Sequence, residues 1–257
     1  MIEKSSLPRT LNECWTATRP LKIFTIDLFN KNFLPVEFIP ANESKWFIAI
    51  FKWYTWLLFR RRFHRVWIQQ EYQPQEGDRT VYYLNHHSWW DGLIPLLLNE
   101  FRFRQRARAL MEDRQMKHYR FFRKIGAFSI NRNDPRKTIT SLRYAVHSMQ
   151  RKNASLFVYP EGKITPPGTT PEFEGGLGWL HENLSGAGIA FVPIGIHIHT
   201  MRSDKPELHL AIGTPTSPDE HLTNEEKTAY FENSMQQLLN RLIEAAGFED
   251  SRFERLM

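Results

Sequence analysis

Short apolar runs rich in β-branched and aromatic residues punctuate the chain at Val81–Leu84, Ala107–Met111, Ala127–Ile130, Ser155–Tyr159, Ala190–His197 and Glu207–Ile212. Their length and composition predict strands. Between them the apolar positions take helical spacing. Asp134-Pro135 opens one such stretch, continued by Leu142, Tyr144, Ala145, Val146 and Met149, and Gly175–Leu184 suggests another. Thr223, followed by Glu225 and Glu226, begins a third that recurs through Met235, Leu238, Leu239 and Leu242 and meets a plausible stop at Gly247. Strands separated by helices predict an α/β fold, a mixed central sheet flanked by helices.

Ahead of this alternation the pattern changes. Lys45–Phe59 is dense in Trp, Phe, Tyr and Ile, with Lys52 interrupting it and Arg60, Arg61, Arg62 and Arg65 close behind. A helix from Trp46 to Phe59 reaches about 21 Å at roughly 1.5 Å per residue, short of a hydrocarbon core of about 30 Å. Extending it through Trp67 would bury four arginines. Aromatic residues with a basic border suit the water–lipid interface, so the expectation is an amphipathic anchor lying on a membrane, assisted by Leu21–Phe38. An aromatic helix packed against the domain is the competing expectation. The predicted division is residues 1–70, an N-terminal interfacial helical segment, and 71–257, the α/β domain.

Composition narrows the partners. A chain of 257 residues with 41% hydrophobic content can bury one substantial core. Its net charge of +6 favours anionic partners such as lipid headgroups, acyl-CoA phosphates or nucleic acid. One cysteine, Cys14, excludes an intramolecular disulfide and fits a reducing environment. The N-terminus lacks the basic-then-apolar pattern of a cleaved secretory signal. Together these predict a peripheral or monotopic protein on the cytoplasmic face of a membrane.

Chemistry concentrates in Asn85-His86-His87-Ser88-Trp89-Trp90-Asp91, at the end of a predicted strand. A histidine and an aspartate five positions apart can form a general base and its orienter, because a carboxylate on one ring nitrogen fixes the tautomer and stabilises the imidazolium. Ser88-x-x-Asp91 also reads as a capping box opening a helix, which leaves His86 an ordinary loop residue; a helix starting there would equally hold Asp91 near the strand end. His197-x-His199 puts two imidazoles on one strand face. No third ligand accompanies them at convincing spacing, so a structural pair is expected and no metal site. The arginine-rich stretch Phe101–Lys124 suits a solvated face, a membrane contact or a grip on coenzyme A phosphates.

Four segments, in order, resemble the motifs of the glycerolipid acyltransferases, the lysophosphatidate acyltransferase-like family. Asn85-His86-x4-Asp91 resembles the first, Gly126-Ala127-Phe128-Ser129-Ile130-Asn131-Arg132 the second, Phe157-Val158-Tyr159-Pro160-Glu161-Gly162 the third and Phe191-Val192-Pro193-Ile194 the fourth. The resemblance covers about Thr80 to Gly195. It departs from the pattern at Lys163-Ile164, where the family commonly has Thr-Arg. Lys163 keeps a positive charge there without the planar two-pronged donor of arginine.

The resemblance implies acyl transfer from a thioester, carried by coenzyme A or an acyl-carrier protein as co-substrate with no further cofactor, to a hydroxyl of a lysophospholipid such as lysophosphatidate. His86 would be the base, oriented by Asp91, and Arg132 would contact an acceptor phosphate with Lys163 adding charge. Glu161 would bind an acceptor hydroxyl or orient Arg132, and Gly162 would admit the acceptor close to the backbone. Anionic lipids at a membrane surface are expected as partners, and nucleic acid is not. Acylation of a non-phosphorylated lipid or glycolipid hydroxyl is the nearest alternative, followed by a non-catalytic basic protein binding membranes or nucleic acid.

Overall fold

The computed structural model describes residues 38–248 and 252–257. Cys14 and all of Leu21–Phe38 except its last residue lie outside the described residues. In chain order the elements are α1 (Lys45–Arg62), β1 (Val66–Gln70), β2 (Arg79–Leu84), α2 (Ile94–Leu98), β3 (Arg106–Glu112), α3 (Asp113–His118), β4 (Ala127–Ile130), α4 (Pro135–Ser148), β5 (Ala154–Val158), α5 (Gly176–Leu184), β6 (Ile189–His199), β7 (Glu207–Ile212), α6 (Asn224–Gly247) and β8 (Glu254–Arg255). The six expected strands are all present, each within two residues of its predicted bounds.

The strands form one mixed sheet in the order β4-β3-β5-β2-β6-β7-β1-β8. Neighbours from β4 to β6 are parallel; β7 is antiparallel to β6, β1 parallel to β7 and β8 antiparallel to β1. Val66–Gln70 of β1, at the end of the expected N-terminal segment, pair with Leu208–Ile212 inside the sheet.

Alternation along the strands builds a core on each face. Tyr82 and Leu84 join Phe59 of α1, Phe63 just after it, and Leu97 and Leu98 of α2. Val81 and Tyr83 face Leu142 of α4, Leu180 of α5 and Phe231 and Leu238 of α6. Each such side chain contributes about 1.5–3 kcal/mol by leaving water. The helix starts are capped as their sequences dictate. The Asp134 carboxylate accepts from the N–H of Arg136 at 3.0 Å, and the Thr223 N–H donates to Glu226 at 2.8 Å while the Thr223 hydroxyl accepts from the Glu226 N–H at 3.2 Å.

α1 is two-sided. Thr55 and Phe59 are buried, whereas Trp46, Ile50, Trp53, Tyr54 and Leu57 are exposed. The helix therefore packs on the domain and leaves an aromatic face open to its surroundings. Three arginines in its last turn complement the helix dipole. Among the described residues, no helix is long and apolar enough to cross a membrane.

Candidate functional site

β2 ends at Leu84, and the next side chain substitutes for the ladder. Asn85, fully buried, donates to the Ile196 carbonyl at 2.9 Å and accepts from the Ile196 N–H at 2.7 Å. The amide thus satisfies the β6 edge while the backbone leaves the sheet, a role with no signal in the spacing of the motif. His86 follows at once, at the carboxyl end of a parallel strand, where open α/β sheets bind ligands.

His86 Nδ1 lies 3.0 Å from Asp91 Oδ2. Asp91 is wholly buried, and its carboxylate also accepts from the N–H of His87 at 2.7 Å and of Ser88 at 2.8 Å and from the Ser88 hydroxyl at 2.6 Å. One carboxylate thus both meets the imidazole and closes the turn. The turn is tighter than a regular helix: Trp89–Leu93 is one 3-10 turn, followed by the short α2, in which Pro95 lacks an N–H, and a π-turn at Asn99–Phe103. Trp90 wedges edge-on between Phe59 and Phe63, 5.7 and 5.8 Å between ring centroids, and so joins the turn to α1.

The turn after β5 closes on the same histidine. Glu161 is buried, and its placement differs from what the sequence suggested. One carboxylate oxygen accepts from the His86 N–H at 2.9 Å and the other from the Thr165 hydroxyl at 2.7 Å, so Glu161 faces inward rather than toward Arg132. Thr165 also donates its N–H to the His86 carbonyl at 2.8 Å. The Tyr159 ring lies 4.6 Å from the imidazole, and its hydroxyl donates to the Asp91 carbonyl at 2.5 Å. Burial, with Asp91 nearby, holds that phenol well above its ordinary pKa. The sequence carries no signal that Thr165 and Tyr159 belong to this site, since only the fold brings them to His86.

Arg132, after β4, donates instead to Glu174. The pair sits over Gly162, whose φ of +64° is left-handed; a Cβ there would lie 2.9 Å from both the Arg132 Cζ and a Glu174 carboxylate oxygen. Lys163 is exposed beside it. His86, Arg132, Gly162, Lys163 and Glu174 all line one cavity of about 790 Å³, within the usual range of about 300–1,000 Å³ for ligand sites. All seven residues of β3 line it too, so the space extends along both faces of that strand. On one face it meets Leu96, Met111 and Phe122, on the other Leu142, Leu177 and Leu180. The β3–β5 ladder stops at Ala109 and Phe157 while β3 runs on to Glu112, which parts the strands at the site.

The second histidine group lies elsewhere. His199 stacks on His209 at 4.8 Å and lies 5.5 Å from His197. Burial pushes His209 down to about 3 and His197 down to about 4, with His199 adding to both shifts. Among the described residues, no three His, Cys, Asp or Glu side chains are grouped to hold a metal ion. Of the arginine-rich stretch, Arg108 pairs with Glu43 at 2.9 Å and Arg102 with Glu254 at 3.3 Å.

Comparison with known proteins gives a consistent result. The family model described as acyltransferase matches residues 65–197. The crystal structure of the 1-acyl-sn-glycerophosphate (LPA) acyltransferase PlsC from Thermotoga maritima aligns with a TM-score of 0.54 at 18% identity, covering 76% of this chain and 79% of that one. At that identity the likeness shows the fold. No curated protein sequence matches.

Proposed function

The chain belongs to the acyltransferase family, and from that premise we propose that it moves a fatty acyl group from a thioester to a hydroxyl of a lysophospholipid at a membrane surface. The observation that carries this is the His86–Asp91 pair, 3.0 Å apart, at a cavity lined largely by apolar side chains.

With Nδ1–H donating to Asp91, the Nε2 of His86 is the acceptor. It takes the proton of the lipid hydroxyl as that oxygen attacks the thioester carbonyl, and Asp91 stabilises the resulting imidazolium. The tetrahedral intermediate collapses, the C–S bond breaks, and the proton on Nε2 passes to the leaving thiolate. An ester and a free thiol result, and no covalent enzyme intermediate is needed. Glu161 and Thr165 hold the His86 backbone, so the imidazole is positioned before substrate arrives. Coenzyme A and an acyl-carrier protein both supply the thioester this chemistry needs.

The apolar cavity suits the acyl chain, and Arg132 and Lys163 line its mouth where a headgroup would sit. The exposed face of α1, with Trp46, Trp53 and Leu57 beside Lys45 and Arg60–Arg62, suits an anionic bilayer surface. A buried carboxylate aligned on a histidine at a cavity wall supports catalysis over membrane binding alone. The test is to incubate an isotope-labelled acyl thioester with a lysophospholipid and follow the label by mass spectrometry. Label in a diacyl product supports the function; label recovered solely as thioester or free acid refutes it.

A further inference from the structure

The mouth of the cavity carries a charge pattern unlike that of a simple phosphate trap. Glu174, which pairs with Arg132, is anchored from behind by its N–H, which donates to the Pro160 carbonyl at 2.9 Å. Its carboxylate therefore belongs to the wall formed by Glu161 and Gly162, and Gly162 lies directly beneath the ion pair. Glu161 adds nothing to the mouth, because both its oxygens are turned inward. Ile164, half exposed at the position after Lys163, adds no charge. Among the charged residues of that lining, Arg132, Lys163 and Glu174 are the three gathered about Gly162, two cations and one anion in the cavity that His86 lines.

A phosphomonoester carries about −1.5 to −2 charges at neutral pH. To take the Arg132 Nη1 that now meets Glu174, it would displace that carboxylate and leave it unpaired beside a near-dianion, a like-charge juxtaposition that opposes binding. A zwitterionic headgroup meets no such conflict. Its anion replaces Glu174 on Arg132, with Lys163 alongside, and its ammonium takes up the released carboxylate. We propose that Glu174 is a specificity-determining residue for the acceptor, selecting a lysolipid whose headgroup carries one anion and one ammonium over one ending in a phosphomonoester, a selection that presupposes acyl transfer to a lysolipid. Since 53% of the Glu174 side chain is exposed, the carboxylate can meet a ligand without rearrangement of the core.

The experiment compares lysophosphatidylethanolamine with lysophosphatidate of the same acyl chain as acceptors for wild type, Glu174→Gln and Glu174→Asp. Wild type should favour the zwitterion at least tenfold in kcat/KM. Glu174→Gln should swing the ratio at least tenfold toward lysophosphatidate, and Glu174→Asp should retain the wild-type preference. A wild-type preference for lysophosphatidate, or a ratio unmoved in folded Glu174→Gln protein, overturns the proposal. A pair that served only to hold the wall would alter stability and leave the ratio alone. Binding of the same two lysolipids in neutral detergent micelles, without donor, gives a second readout: the same swing is expected, and equal affinities in wild type and Glu174→Gln overturn the proposal. A binding swing without acyl transfer to either lipid would refute the catalytic function while leaving the charge-matched site standing.

Discussion

Glu161 Oε1 accepts a hydrogen bond from the backbone N–H of His86 at 2.9 Å, across 75 positions of sequence. The contact exists because β2 and β5 are parallel neighbours, with Tyr83 opposite Val158, so the turns that follow them meet. In the proposed mechanism Glu161 acts through His86, as a positioning residue.

Replacing Glu161 by alanine leaves the buried His86 N–H and Thr165 hydroxyl without their acceptor. Stability should fall by about 1–3 kcal/mol, with a drop in kcat of about tenfold or more. Glu161→Gln retains an acceptor oxygen for His86 and should keep most of the activity. Denaturant melts and steady-state kinetics on both variants check this. Equal losses in the two would show that the negative charge, and not the hydrogen bond, matters.

Legibility in the sequence depends on where each signal resides. The His86–Asp91 pair was legible because both residues sit in one short turn and five positions fix their separation. The strands were legible because they are short apolar runs; β1 was not, since Val66–Gln70 is half polar and follows an arginine cluster. The inward hydrogen bonds of Glu161 were not legible, because a carboxylate near a candidate phosphate site suggests an acceptor hydroxyl or an arginine as its partner. Its true partners, His86 and Thr165, come together only through the β2–β5 pairing and the return of the chain after Gly162. Glu174 carried no local signal at all, being one acid in the loop that leads to α5.

Asp91→Asn should lower kcat by about 10²–10⁴-fold with little change in fold. The carboxylate accepts from four donors, and an amide must turn an NH2 toward at least one of them. Kinetics together with circular dichroism decide the matter. Near-wild-type turnover in Asp91→Asn would remove the aspartate from the mechanism.

Acid should destabilise the fold through the stacked histidines. His197 and His209 are held at about 4 and about 3 in the folded state, mainly by burial, against about 6.5 when unfolded. Each fold-depressed imidazole favours the native state above about pH 6.5, and that contribution fades as pH falls from 6.5 toward 4 and 3, because the unfolded chain takes up protons first. The neighbouring groups are His199 and Glu207 on the same strands, Arg202 in the loop between them, and His87 near His197. Urea midpoints should drop between pH 7 and pH 5. His209→Phe should flatten that dependence, and an unchanged slope in this variant would locate the acid sensitivity elsewhere.

Membrane binding should run through α1. Trp46 and Trp53 are more than half exposed, and burying an apolar side chain of this size contributes at least about 1.5–3 kcal/mol. The double variant Trp46→Ser/Trp53→Ser should bind phosphatidylglycerol vesicles at least tenfold more weakly in co-sedimentation, and raising salt should weaken wild type as well. Binding unaffected by the double variant would place the membrane contact on another surface.

The central claim, that His86 is the base for acyl transfer, is tested most directly by free-thiol release from palmitoyl-CoA in detergent micelles, with and without a lysophospholipid, in wild type and His86→Ala. The predicted result is release stimulated by the acceptor in wild type and reduced by at least about 10²-fold in the variant. Acceptor-stimulated release that survives in folded His86→Ala protein would contradict the account.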